Sequence, residues 1–255
     1  MWIFPILGAI LMTLATGTIG TALALNFVDA DTRIGFVVML LVSFGAVAVG
    51  VAGWMRIRKQ SGWARWFPRR EWGNIYIGLA FGLVLFGIAL SIANLLIDVQ
   101  AQWIGALPIF ALFGWLVQGS VEEIVTRGWL FDRLKPWGED LQVWGTAVAF
   151  TAMHAMNPNV NYLALLNIFL FGILMALIVR NKGNLWHVAG IHSGWNFAQA
   201  NFFTMPVSGV SVTSASVFAV TASGPRWLSG GEFGLESSII TTVLLSIIIV
   251  REVIK

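Results

Sequence analysis

The stretch NIYIGLAFGLVLFGIALSIANLLI, residues 74–97, constrains this chain more than any other feature. It carries only Asn74, Asn94 and one Ser as polar interruptions and, at ~1.5 Å per helical residue, is long enough to cross a ~30 Å hydrocarbon core. Comparable runs recur through the 255 residues, which are 58% hydrophobic and 11% charged, with a mean hydropathy of +0.82. Soluble domains carry about 25% charged residues. We therefore read the chain as an all-α, polytopic transmembrane bundle. The absence of cysteine excludes disulfides, thiol catalysis and cysteine metal sites. The isoelectric point near 9.7 reflects basic cytoplasmic loops rather than a nucleic-acid partner.

Eight spans are expected, at about 2–27, 34–55, 73–97, 103–132, 140–157, 160–179, 184–202 and 237–251. The N-terminal MWIFPILGAILMTLATGTIGTALAL lacks a basic leader and has too long an apolar stretch for a signal peptide, so it reads as a retained first span. The loop RIRKQSGWARWFPRREW contributes Arg56, Arg58, Lys59, Arg65, Arg69 and Arg70, with Trp63, Trp66, Phe67 and Trp72 interleaved. Such a segment suits the anionic leaflet. With that loop in the cytoplasm, Arg133, Lys135, Arg180, Lys182, Arg251 and Lys255 also fall inside, and only Arg33 and Arg226 outside. Both termini are then cytoplasmic. The Ser-, Thr- and Gly-rich segment 203–236 is expected outside, capping the bundle or dipping back into it. Its SGGEFG reads as a turn. The tryptophans read mostly as an interfacial belt. No internal repeat or soluble domain is evident. We expect one membrane domain over 1–255, with N-terminal spans in 1–97 and a core bundle in 103–251.

Ionisable residues inside spans are costly and mark functional sites by default. Here they are Glu122, Glu123 and Arg127 in the fourth span, His154 in the fifth, and His187 and His192, with Asn196, in the seventh. Glu123 and Arg127 are spaced i, i+4 and can pair on one helix face. Glu122 is rotated by about 100° and has Thr126 as its i+4 neighbour. Two carboxylates in low dielectric cannot both ionise cheaply, so Arg127 neutralises Glu123 and leaves Glu122 as the reactive one. His192 and Asn196 are also i, i+4, two aligned donors able to bind a developing oxyanion. Phe150 and His154 repeat the spacing, with the phenyl ring placed to orient the imidazole. From the cytoplasmic span ends Glu122 lies roughly 15–18 Å deep, His154 about 20 Å and His192 about 12 Å. A shared intramembrane site is therefore geometrically possible. His187, about one turn below His192, is left out of it as a packing or solvated residue.

EEIVTR fits E-E-x-x-x-R, FTAMH fits F-x-x-x-H and HSGWN fits H-x-x-x-N. In that order, on separate apolar helices, the three motifs resemble those of the CPBP family of intramembrane endopeptidases. That family includes the CAAX prenyl endopeptidase Rce1 and bacterial bacteriocin-immunity (Abi) proteins. The likeness covers about residues 105–250, and the first three spans vary among such proteins. It implies that Glu122 and His154 activate a water against a peptide carbonyl. It further implies that His192 and Asn196 form the oxyanion hole, while Glu123 and Arg127 hold the site together. The motif wording is similar to bacterial members, which implies a multi-pass protein of a prokaryotic inner membrane acting on a peptide or membrane-protein segment.

The residues alone leave a metal open. Glu122, His154 and His192 could supply a His₂Glu zinc site. The helical H-E-x-x-H motif is absent, and the metal-free reading, with no cofactor, is the one adopted. Two other classes compete: a non-catalytic immunity or scaffold protein on the same fold, and an ion-coupled transporter. The transporter would need a continuous polar path, to which the first three spans offer almost nothing.

Overall fold

The computed structural model describes residues 1–60, 63–211 and 216–254, so Ser61 and Gly62 of the basic loop, residues 212–215 of the segment 203–236, and Lys255 lie outside the described residues. The long helices are α1 (Ile3–Leu25), α2 (Arg33–Ile57) and α3 (Asn74–Leu96). A strand β1 (Asp98–Trp103) precedes α4 (Ile109–Glu123), which runs on as a π-helical stretch, Ile124–Leu130, into α5 (Phe131–Leu134). Then come α6 (Glu139–His154), α7 (Tyr162–Lys182) and α8 (Trp186–Phe197), the last extended by a π-helical Ala198–Phe202. The strand β2 (Phe218–Ser223), a single turn α9 (Arg226–Ser229) and α10 (Ile239–Ile254) complete the order.

Among the described residues, five helical stretches are long and apolar enough to cross a membrane: Ile3–Leu25, Ile34–Ile57, Asn74–Leu96, Ile109–Trp137 and Tyr162–Lys182. The chain is thus a membrane-embedded helical bundle. The remaining helices at expected spans, α6, α8 and α10, are 16, 12 and 16 residues long. At ~1.5 Å per residue these are short of a ~30 Å core, and α8 is buried from His187 to Phe197, so that stretch needs no lipid-facing surface. The helix ends follow local chemistry. The Asn161 side chain accepts from the Ala164 amide at 3.0 Å to cap α7, and Gly183, at φ 76°, ends it.

Two features depart from the sequence reading. The fourth helix starts at Ile109, not 103, because residues 98–103 pair antiparallel with 218–223, Asp98 opposite Ser223 and Trp103 opposite Phe218. Pro108 supports this, since a proline disfavours helix in the residue before it and tolerates helix after it. A small two-stranded sheet therefore accompanies the otherwise helical fold. The basic loop is also docked rather than merely laid on a surface. Trp66 is buried, its indole donates to Asp132 at 2.8 Å, and its carbonyl accepts from the Leu185 amide at 2.8 Å. Trp115, Trp129 and Trp195 are likewise core rather than belt.

What positions the site is the contact of α3 with α8. Gly78 and Gly82 on α3 face Gly190 and Gly194 on α8, each four residues apart. A Cβ on Gly78 would overlap the His187 carbonyl, one on Gly82 the Ile191 carbonyl, one on Gly190 the Ile75 carbonyl and one on Gly194 the Leu79 carbonyl. Close approach through small residues is how helices associate where lipid supplies no hydrophobic drive. This contact fixes the helix that carries His192 and Asn196.

Candidate active site

Three helices bring the predicted residues together. Glu122 and Glu123 end the α-helical part of α4, His154 is the last residue of α6, and His192 and Asn196 lie on α8. His154 Nε2 is 4.0 Å and His192 Nε2 3.6 Å from Glu122 Oε2. That oxygen is buried and has no hydrogen-bond partner among the described residues. The Thr126 hydroxyl donates to the Glu122 backbone carbonyl at 2.6 Å, so it does not hold the carboxylate.

The ring nitrogens can be sorted by their partners. His154 Nδ1 lies 2.8 Å from the Phe150 carbonyl, one turn back on α6. A carbonyl only accepts, so Nδ1 carries the proton and a neutral His154 turns the Nε2 lone pair towards Glu122. His192 Nδ1 lies 2.9 Å from Glu123 Oε1, and by the same logic donates to it.

Glu123 serves two partners. Its side chain and that of Arg127 are fully buried, and Arg127 Nη1 donates to Oε1 at 3.2 Å. Arg127 also donates to the Thr126 hydroxyl at 2.9 Å and, from Nη2, to the Gly172 carbonyl at 3.1 Å. The pairing expected from i, i+4 spacing is thus present, although residues 124–130 are π-helical. π-helical segments recur at functional sites, and a second one follows Asn196. Phe150 is the hub between these groups. Its ring centroid is 4.5 Å from that of His154 and 5.9 Å from that of His192, and the Arg127 guanidinium carbon stands 4.5 Å from it.

Several residues escaped the sequence reading. Gln118, one turn before Glu122, accepts from Asn196 Nδ2 through Oε1 at 2.9 Å and thereby orients the amide. Its i−4 spacing to Glu122 was the available signal. Phe171 packs edge-on against His192 at 5.3 Å, and nothing in its apolar context marks it. Glu236 accepts from the Ser208 amide at 2.6 Å and its hydroxyl at 3.0 Å. Withdrawal from water pushes this half-buried carboxyl up to about 7, with the Ser208 donors pulling the other way. Asn157 donates to the Ser208 carbonyl at 3.1 Å, so the segment around Ser208 is tied down over the site. His187 is buried and lies outside the cluster.

Two cavities flank these groups. The larger, about 600 Å³, runs from Glu122, His154 and Asn196 to a wall formed by Thr13, Thr21 and Ser43 of α1 and α2. The first two helices therefore do present hydroxyls to the interior. The smaller, about 40 Å³, lies beyond His192 and Asn196 towards α7 and α10. Among the described residues no group of three or more His, Cys, Asp or Glu side chains is arranged to hold a metal ion.

Comparison with curated proteins and with solved structures gives no match. A family model does match, over residues 104–198, and it is described as type II CAAX prenyl endopeptidase Rce1-like. The matched stretch contains Glu122, Glu123, Arg127, Phe150, His154, His192 and Asn196. The resemblance read from the three motifs thus holds over residues 104–198, where the chain is similar to that family model.

Proposed function

We propose that this protein is an intramembrane endopeptidase of the glutamate type, hydrolysing peptide bonds with a water activated by Glu122 and His154. The observation that carries the reading is the convergence of Glu122 Oε2, His154 Nε2 and His192 Nε2 at the end of a 600 Å³ cavity. A cavity of that size suits a ligand of several residues, and the Rce1-like match supports CAAX-type intramembrane proteolysis in general.

At a separation of 4.0 Å, Glu122 Oε2 and His154 Nε2 can both accept from one water at about 2.8 Å. The water oxygen attacks the scissile carbonyl while one proton passes to the Glu122–His154 pair. The carbonyl oxygen becomes an oxyanion. Asn196 supplies its second amide hydrogen, the first being held by Gln118. For His192 to donate from Nε2 as well, it must be the imidazolium, since Nδ1–H is committed to Glu123. The Glu123 carboxylate is placed to stabilise that cation, and Arg127 balances the remaining charge. Collapse of the tetrahedral adduct breaks the C–N bond. The proton returns to the leaving nitrogen, giving a new carboxylate and a new amine.

This reading is metal-free and uses no cofactor. The test is cleavage of a quenched peptide library by the purified protein, wild type against Glu122→Ala and His154→Ala, each with and without chelator. Loss in both variants with full activity in chelator is expected. Loss in chelator restored by zinc would instead make His192 a ligand.

We further propose the eight-span arrangement, with both termini cytoplasmic in a cell membrane, and one membrane domain in which 103–251 is the catalytic core. Reporter fusions in the loops test the orientation. The substrate is then a peptide or membrane-protein segment.

A further inference from the structure

The smaller cavity has no part in the chemistry just described, yet it opens on the same side chains. Phe150, His154, His192, Asn196 and Ser208 line both cavities, so the reacting groups stand on the divide between them. A peptide lying in the larger space, with its carbonyl at His192 and Asn196, has the mouth of the smaller one beside the scissile bond. Beyond these shared residues the lining includes Ile168, Phe171 and Leu245, with Asn167 and Thr241 among them, and Glu236 stands beside Ser208. Ile168 and Leu245 are otherwise 6% and 2% exposed, so these walls belong to a packed interior.

We propose that this cavity is a subsite that takes one small, uncharged substrate side chain next to the scissile bond, an assignment that rests on the peptidase reading. Size sets the first limit. A cavity of about 150 Å³ takes benzene, so 40 Å³ admits roughly one to three heavy atoms, the side chain of Ala, Ser, Thr or Val. Charge sets the second. An acidic side chain would meet Glu236. A basic one is too long, and it would find that carboxylate already accepting from the Ser208 amide and hydroxyl.

The experiment is a peptide series in detergent, varied one position at a time through Ala, Val, Leu, Phe, Lys and Asp and read by mass spectrometry. One position flanking the cut should favour Ala and Val over Phe, Lys and Asp by at least about tenfold in kcat/KM. Leu245→Ala should shift that position alone towards Leu and Phe. Leu245→Val, a smaller change, should shift it in the same direction and guards against a variant that fails to fold. Cleavage by the wild type with no size preference beside the cut, or with a preference that neither variant moves, overturns the subsite. Absence of any cleavage would overturn the peptidase reading instead. The same peptides would then be titrated for binding, where a Kd independent of side-chain size refutes the pocket and a size limit relaxed by Leu245→Ala supports it.

Discussion

Replacing Arg127 by methionine tests whether the charges at the site are mutually dependent. Arg127 and Glu123 have no exposed side-chain surface, and the arginine makes contacts to Glu123, Thr126 and the Gly172 carbonyl. Arg127→Met leaves Glu123 buried with only His192 to balance it. Removing one partner of a buried pair costs about 3–5 kcal/mol, whereas replacing both by apolar or neutral groups is often close to neutral. For a chain of this size about 1 kcal/mol moves the melting temperature by roughly 2–4 °C. The single variant should therefore melt roughly 10 °C below wild type, followed by tryptophan fluorescence in detergent at a fixed scan rate. The double variant Glu123→Gln/Arg127→Met should recover more than half of that loss. A single variant that melts within about 2 °C of wild type, or a double variant less stable than the single, would refute the reasoning.

Glu122→Gln should lower kcat/KM by about 10²–10⁴-fold and leave the melting temperature unchanged, since Glu122 Oε2 holds no hydrogen bond among the described residues. Gln118→Ala should lower kcat by about tenfold with KM held, because it frees the Asn196 amide to rotate away from the oxyanion. An equal rise in KM would mean that Gln118 binds substrate instead. Gly82→Ala should cost about 1–3 kcal/mol and lower activity together, because the new Cβ meets the Ile191 carbonyl one residue from His192. Stability lost without activity would separate the α3–α8 contact from the site.

The candidate site was legible in the sequence because its chemistry is polar and its surroundings are not. Glu122, Glu123, Arg127, His154, His192 and Asn196 stand out against apolar helices, and i, i+4 spacing already grouped them by face. Spacing within one helix says nothing about contacts between helices, so it missed that Glu123 holds His192 as well as Arg127. Gln118 went unread for the same reason, its partner being 78 residues away. The cap was equally opaque. The pairing of 98–103 with 218–223 joins segments too short and too polar to announce themselves, and Ser208 gains meaning only beside Glu236. Gly78, Gly82, Gly190 and Gly194 went unread as well, because their register against one another is a property of the packed pair.

The most direct test of the central claim is to run cleavage in H₂¹⁸O with chelator present and weigh the products. A water poised by Glu122 and His154 places one ¹⁸O in the new carboxylate of the wild-type product, with no metal required and no product from Glu122→Ala. Cleavage that survives Glu122→Ala, or that stops in chelator and returns with zinc, would contradict the account.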